Sequence, residues 1–184
     1  LDLNCYLTAA VFEKDDAAGG ILRYGIPDFK LDKSILDRRI TLLEKSGIRF
    51  KLGKEIGKNI SPDKMQKDFD ALLLTVGSSV ARDLDLKGRD LEGIHFAMDY
   101  LVQSNKKVSA KDISIGKEIN AKDKKVLVIG GGDTGSDCVG VANRQGASRV
   151  TQIEIMPKPP ECRDENNAWP KFPLALENEV DVHT

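Results

Sequence analysis

The sequence predicts a mixed α/β fold, and three observations lead to this prediction. Short apolar runs of strand length, such as residues 71–77 and 126–129, alternate with segments whose apolar residues recur at helical spacing. Between residues 126 and 153 the order is apolar strand, glycine turn, helix, glycine turn and second apolar strand. The 184 residues suffice for one domain or two small ones with a buried core. Together these features favour parallel strands connected by helices.

The composition restricts the class of partner. The chain has 28 lysines and arginines against 29 aspartates and glutamates, so it lacks the long-range field that nucleic-acid or membrane-surface binding requires. It has no run of about 18 apolar residues, and residues 1–20 lack the pattern of a secretory signal. The three cysteines, at positions 5, 138 and 162, form no disulfide or metal-binding pattern. We expect a cytoplasmic protein without a metal site, whose partners are small molecules or another protein, and neither nucleic acid nor a membrane.

The first hundred residues contain a strand, a helix and further strand-like segments. A short strand is predicted in Ala10–Glu13, ahead of a polar and glycine-rich turn. An amphipathic helix is predicted between Asp32, as its N-cap, and Gly47, because apolar residues between them are spaced by four and three. The remaining segments are assigned by apolar character and length: a strand in residues 48–57, a turn or short helix in 61–69 and a buried strand in 71–77.

A change of domain is predicted near residue 100. Residues 77–96 are rich in glycine and charge, and a helix is predicted in 97–107. We therefore divide the chain into domains 1–100 and 101–184. Beyond residue 156, repeated prolines predict an ordered loop rather than a helix.

The strongest motif is a glycine loop between a strand and a helix. Gly130, Gly132 and Gly135 form G-x-G-x-x-G directly after the strand VLVI. The first glycine allows the tight turn, the second lets the backbone approach a pyrophosphate, and the third lets helix and strand pack closely. The helix N-terminus offers unpaired N–H groups to the anion. The alternative is a glycine-rich turn without a ligand, but the complete strand, turn, helix and strand context favours a Rossmann-like dinucleotide-binding half.

The side chains around this loop are weaker candidates. Asp133 and Asp137 lie in the first turns of the helix, where the helix dipole favours carboxylates, so we assign them no chemistry. Asp133 and Thr134 count as cofactor-binding candidates only as part of the loop. Cys138 is predicted to be a core residue, and His95 has no acidic or nucleophilic partner at a suitable spacing. We predict no catalytic side chain.

The choice of nicotinamide cofactor depends on three residues after the second strand. Glu154 follows Gly135 by 154 − 135 = 19 residues, close to the roughly 20 at which an acidic residue contacts the adenosine ribose hydroxyls. That spacing favours NAD over NADP. Lys158 and Arg163 follow on the loop and could instead offset the charge of a 2′-phosphate. The sequence leaves both cofactors open.

Several motifs in order carry a family resemblance. Residues 13–39 (EKDDAAGGILRYGIPDFKLDKSILDRR), LTVGSS, VLVIGGGDTGSDC, IEIMPKPPE and NNAWPKFPL resemble the small (β) subunit of glutamate synthase over about Val11 to Leu174. The resemblance implies a flavoprotein of the FAD/NAD(P)-binding type, in which an NAD(P)H domain interrupts an FAD domain. It implies an electron-input oxidoreductase for glutamate biosynthesis and ammonia assimilation. NAD(P)H reduces FAD, and electrons pass through iron–sulfur clusters to the large subunit, which is the implied partner.

The resemblance also implies site residues in each half. In the FAD half, Glu13 would hold the adenosine ribose. The remaining implied cofactor-binding residues are Gly20, Leu22 and Arg23 on the flavin side, Thr75 and Gly77 where the FAD half closes, and Gly130, Gly132, Gly135 and Glu154 in the NAD(P)H half.

The chain departs from the family pattern in three ways. Members carry an earlier G-x-G-x-x-G, yet residues 1–10 contain no glycine, and the cluster-ligating cysteines expected upstream are missing. The chain also stops within the NAD(P)H domain. We expect a fragment that is inactive alone: a partial FAD-binding domain in 1–100, without the first glycine loop, and a partial NAD(P)H-binding domain in 101–184. The alternatives are a non-catalytic dinucleotide-binding or subunit-contact fragment, and a related flavoprotein that reduces ferredoxin or a pyrimidine.

Overall fold

The computed structural model describes residues 8–78, 80–109, 117–157 and 160. The chain divides into two compact units, Leu1–Phe96 and Ala97–Thr184. The boundary predicted after residue 100 falls inside a helix, and the observed division lies at the start of that helix. No helix in the described ranges is long and apolar enough to cross a membrane.

In residues 8–78 and 80–96, the first unit contains two parallel strands and three helices. Strand β1 pairs with β2 in parallel, with Ala10 opposite Arg49 and Phe12 opposite Lys51. The Phe12 and Phe69 rings pack in a T-shaped arrangement, with 5.7 Å between centroids. The elements are β1 (Ala10–Phe12), α1 (Gly20–Tyr24), α2 (Lys33–Lys45), β2 (Arg49–Lys51) and α3 (Pro62–Asp68).

Helix α2 confirms the predicted amphipathic helix and both of its ends. The Asp32 side chain accepts a hydrogen bond from the Ser34 backbone N–H at 2.8 Å, as an N-cap does. Gly47 follows the helix with a φ of 93°, a backbone conformation that glycine adopts without steric cost. The Lys33 ammonium donates to the carbonyl oxygens of Leu22, Ile26 and Leu31, and thereby joins the end of α1 to the start of α2.

The predicted buried strand in residues 71–77 is wrong. These residues form neither helix nor strand, and all of them are exposed. Leu73 has 88% of its surface accessible. An apolar run becomes a buried strand only beside another strand that takes up its backbone hydrogen bonds, and the described part of the chain places none there.

Within its described residues, the second unit is a strand–helix–strand unit with one additional helix. Strands β3 and β4 pair in parallel from Lys125 opposite Arg149 to Ile129 opposite Ile153. This arrangement confirms the predicted order of apolar strand, glycine turn, helix and second strand. The elements are α4 (Ala97–Val108), β3 (Lys125–Ile129), α5 (Asp133–Arg144) and β4 (Arg149–Ile153).

The core of the second unit lies between its helices and one face of its sheet. Leu101 is 1% exposed, and it forms a cluster with buried residues of α4, α5 and the loop before β3. The Gln145 side-chain oxygen accepts hydrogen bonds from the Tyr100 hydroxyl and from the Ala121 N–H, each at 2.9 Å. Leu127 and Ile129 of β3 lie on the opposite, exposed face. The sheet is therefore covered on one face only within the described residues.

Cys138 is a core residue, as predicted. It is buried on α5 and belongs to the same cluster as Leu101. Burial, together with the neighbouring Asp137 carboxylate, raises the pKa of the Cys138 thiol to about 11.

The reactivity of Cys138 is therefore expected to depend on unfolding. In a Cys5→Ser, Cys162→Ser variant, we expect almost no reaction with a thiol reagent at pH 8 in the native state and full reaction in denaturant. The reason is that the thiolate is the nucleophile and the buried thiol stays protonated. The measurement is the rate of thionitrobenzoate release between pH 7 and 9. Rapid native-state labelling at pH 8 would contradict the assignment of Cys138 to the core.

Candidate dinucleotide-binding site

The glycine loop connects the end of β3 to the start of α5. Gly130 has a φ of 115°, which makes the tight turn possible, and its N–H donates to the Ile153 carbonyl oxygen at 2.9 Å. Gly132 is the N-cap residue of α5 and supplies no side-chain cap. The first backbone N–H groups of α5 have no partner within the helix. The loop thus carries backbone donors at a helix N-terminus, where the dipole favours an anion.

Gly135 is required by packing within the protein. A Cβ at this position would clash with the Gly130 carbonyl oxygen and would lie 2.9 Å from the Gln152 Nε2 atom. The same Nε2 donates to the Gly130 oxygen at 2.8 Å. The predicted close approach of helix and strand at the third glycine is confirmed.

Gly132 is not required by packing or by backbone conformation. Its φ of −74° is ordinary for any residue. A Cβ there would have no heavy atom within 4 Å. Neither the backbone conformation nor the packing of the protein therefore explains a glycine at position 132. Its missing side chain leaves open space beside the backbone, and the approach of a pyrophosphate requires such space.

Glu154 lies against the same loop. Its Oε1 accepts from the N–H groups of Ile155 at 2.6 Å and Met156 at 2.9 Å, and its Oε2 accepts from the Gly131 N–H. The hydrogen bonds from Met156, Gly131 and Ile155, in that order of effect, lower the pKa of the Glu154 carboxyl. An ionised carboxylate therefore stands beside the glycine loop directly after β4.

Gly131 is a site residue that the motif did not identify. The three consecutive glycines at 130–132 were the signal in the sequence, but the motif treats the middle one as variable. A Cβ on Gly131 would lie 2.6 Å from the Glu154 Oε2. The space at Gly131 is taken by the Glu154 side chain.

The remaining candidates of the second unit differ in placement. Asp133 and Thr134 are exposed in the first turn of α5, whereas Asp137 is buried one turn later. Lys158 and Arg163 lie outside the described residues, so their proposed contact with a 2′-phosphate remains a prediction. Among the residues that the structure describes, no group of His, Cys, Asp and Glu could hold a metal ion.

Glu13 in the first unit repeats part of the arrangement at Glu154. It directly follows β1, and its Oε1 accepts from the N–H of Asp15, two residues ahead, at 3.0 Å. Glu154 accepts from Met156, which is likewise two residues ahead. Each glutamate thus has its carboxylate fixed at the end of a parallel strand.

The other candidates of the first unit lie on or after α1. Gly20 and Leu22 lie on α1, and Leu22 is exposed. The Arg23 side chain is only 12% exposed. Its Nη2 forms an ion pair with the Asp37 Oδ1 at 2.6 Å. Its Nε donates a hydrogen bond to the Ala18 carbonyl oxygen at 2.5 Å. Thr75 and Gly77 lie in the exposed segment after α3. Arg23 thus has a structural function here, and cofactor binding by these five residues remains a prediction.

Comparisons with known proteins agree with this architecture. The family profile described as "Pyridine nucleotide-disulphide oxidoreductase" matches residues 4–183. FprA from Mycobacterium tuberculosis superposes with a TM-score of 0.62 at 20% identity, over 79% of this chain and 36% of that one. The same protein in complex with NADPH gives a TM-score of 0.61 over the same shares. The FAD/NAD(P)-binding type of α/β fold is confirmed.

Several glutamate synthases are similar in sequence to this chain. The glutamate synthase [NADPH] small chain of Mycobacterium tuberculosis (strain H37Rv) is 48% identical over 170 residues, which are 91% of this chain and 35% of that protein. The small chain of Bacillus subtilis is 47% identical over 90% of this chain and 34% of its own length. Glutamate synthase [NADH] of Saccharomyces cerevisiae is 46% identical over 92% of this chain and 8% of its own length.

These identities confirm the resemblance to glutamate synthase small chains. The chain spans about a third of the length of the small chains that it matches. The parallel strands, the glycine loop at the start of α5 and the family match over nearly the whole sequence agree with one another. The chain belongs to the pyridine nucleotide-disulphide oxidoreductase family.

Proposed function

We propose that this chain is part of the electron-input subunit of a glutamate synthase, and that its loop 130–135 binds NAD(P)H. The main support for the nucleotide-binding proposal is the open space beside Gly132. Neither its φ nor its surroundings require a glycine, and it stands at the N-cap of α5 beside backbone donors without helical partners. The similarity to glutamate synthase small chains supports the choice of pathway.

In this proposal the chain positions the nucleotide. The N–H groups at the start of α5 hold the pyrophosphate, and the open side of Gly132 lets it approach. The Glu154 carboxylate accepts a hydrogen bond from the adenosine ribose. When bound, the nicotinamide would supply a hydride, and in the complete subunit FAD and the iron–sulfur clusters would carry its two electrons on to the large subunit.

The fit to FAD is less complete in this chain. Glu13 is a fixed carboxylate at a strand end, as a ribose contact requires. The described residues include no G-x-G-x-x-G ahead of β1. The proposal for this chain is therefore limited to the nicotinamide nucleotide.

A subunit-contact function is the second candidate. Leu73, Leu74 and Val76 are exposed within four consecutive residues, and large exposed apolar patches mark interaction sites. This candidate requires no bound nucleotide.

Calorimetric titration of the purified chain with NADH and NADPH separates the two candidates. We expect saturable binding of at least one nucleotide, competed by ADP-ribose, which has the pyrophosphate and both riboses but no nicotinamide. Binding that ADP-ribose does not compete would place the nucleotide elsewhere than the loop. If the folded chain binds neither nucleotide, the nucleotide-binding proposal is wrong and the contact function is favoured.

A further inference from the structure

We propose that Gly131 is a specificity-determining residue that favours NADH over NADPH by leaving the space in which the Glu154 side chain lies. This inference rests on the proposed binding of NAD(P)H at the loop. Gly131 does not contact the nucleotide in this proposal. It acts through the position of Glu154.

The backbone of Gly131 gives no reason for a glycine. Its φ lies outside the left-handed region, unlike that of Gly130. The reason is steric, and the three atoms nearest to an added Cβ all belong to the Glu154 side chain. A Cβ on residue 131 would lie 2.6 Å from the Oε2, 2.8 Å from the Cγ and 3.0 Å from the Cβ of Glu154.

Rotation of the carboxylate alone would not remove this clash. Turning the end of the side chain relieves the contact with Oε2, but the Cγ and Cβ of Glu154 remain too close. The Cγ must turn away and the loop must shift slightly. An alanine at 131 therefore displaces the Glu154 carboxylate from the loop.

The present position of Glu154 makes it a discriminating group. Three backbone N–H groups, those of Gly131, Ile155 and Met156, hold the ionised carboxylate. They use three of its roughly four acceptor sites, which leaves capacity for about one ribose hydroxyl. A 2′-phosphate at the same place would meet a fixed negative charge.

Displacement of Glu154 would reverse this preference. The hydroxyl acceptor leaves the loop, which weakens NADH binding. The N–H groups that held the carboxylate become free to donate to an anion, and charge-assisted bonds to a phosphate are strong. Gly131→Ala is therefore expected to shift the ratio of the two affinities towards NADPH.

A double-mutant cycle tests this coupling. Dissociation constants for NADH and NADPH are measured by calorimetry for the parent chain, Gly131→Ala, Glu154→Ala and the double variant. We expect Gly131→Ala to change the NADH to NADPH affinity ratio about tenfold towards NADPH. In the Glu154→Ala background the same substitution should change the ratio less than twofold, because the group it displaces is already gone.

Salt dependence and a second variant complete the test. Discrimination against the 2′-phosphate in the parent should weaken between 50 and 500 mM salt, since it arises between charges near solvent. Glu154→Gln removes the charge at nearly the same size and leaves one of the two acceptor oxygens replaced by an NH2 donor, so it should shift the ratio in the same direction without the clash at residue 131. If circular dichroism shows that Gly131→Ala does not fold, the affinity ratio of the Glu154→Gln variant still tests the inference.

Five results would overturn the inference, and they are distinguishable. A ratio unchanged in folded Gly131→Ala, or unchanged in Glu154→Gln, overturns it while the proposed function stands. An equal effect of Gly131→Ala with and without Glu154 assigns residue 131 a direct steric role instead. A parent preference for NADPH of tenfold or more also overturns it. Failure of the parent chain to bind either nucleotide overturns the proposed function, and this inference with it.

Discussion

Gly132→Val is expected to lower the affinity for the preferred nicotinamide nucleotide about 30-fold, or about 2 kcal/mol, while the chain stays folded. The valine methyl groups would stand where the pyrophosphate must approach the backbone. The fold should tolerate the change, because a Cβ at this position meets no heavy atom within 4 Å and the φ of −74° suits any residue.

Calorimetry measures this effect, and circular dichroism checks the fold. Gly132→Ala is the matched control, since a single methyl group blocks the approach less and should cost less affinity than valine. Valine and alanine are both poorer N-cap residues than glycine, so each substitution is expected to lower the stability of the protein slightly. An affinity unchanged in the folded valine variant would show that the pyrophosphate does not bind at this loop.

Gly135→Ala is expected to destabilise the second unit by about 3 kcal/mol, the upper part of the range for added methyl groups in packed sites. The added Cβ would clash with the Gly130 carbonyl oxygen, and the Gly130 carbonyl carbon would lie 3.2 Å away. Both atoms belong to the backbone and cannot rotate aside. Helix α5 must therefore move away from β3.

Urea unfolding followed by circular dichroism measures this loss of stability. Gly132→Ala is again the matched control, because it adds the same methyl group three residues earlier, into open space. The midpoint of the control is expected to stay close to that of the parent. Equal midpoints for the two variants would contradict the close contact between α5 and β3.

The second unit was predictable because its determinants are local. The apolar run, the glycine spacing and the helical pattern in residues 126–153 lie in sequence order, and each gives a direct signal. Glu154 was found by its distance from Gly135. The close contact between Gly131 and Glu154 was not predictable, since the two residues are 23 apart in sequence.

The first unit shows where sequence patterns fail. The apolar run at 71–77 predicted burial, but burial of a strand depends on a neighbouring strand, which no local pattern can supply. Arg23 shows a second kind of limit. The family resemblance assigns it to the cofactor, which remains a prediction, and nothing in the sequence indicated that its guanidinium also contacts Asp37 and Ala18. A cation in a sequence does not reveal which of several anions or carbonyls it will meet.

The parallel pairing of β3 with β4 has a consequence for the rate at which the second unit forms. Parallel strands cannot be joined by a tight turn, so bringing Lys125 beside Arg149 closes a long loop and costs chain entropy before any ladder bond forms. Helix α5 occupies most of that loop, and its formation shortens the chain that remains to be closed. Early helix formation therefore lowers the kinetic barrier to strand pairing, and the helical propensity of α5 affects the folding rate as well as the final stability.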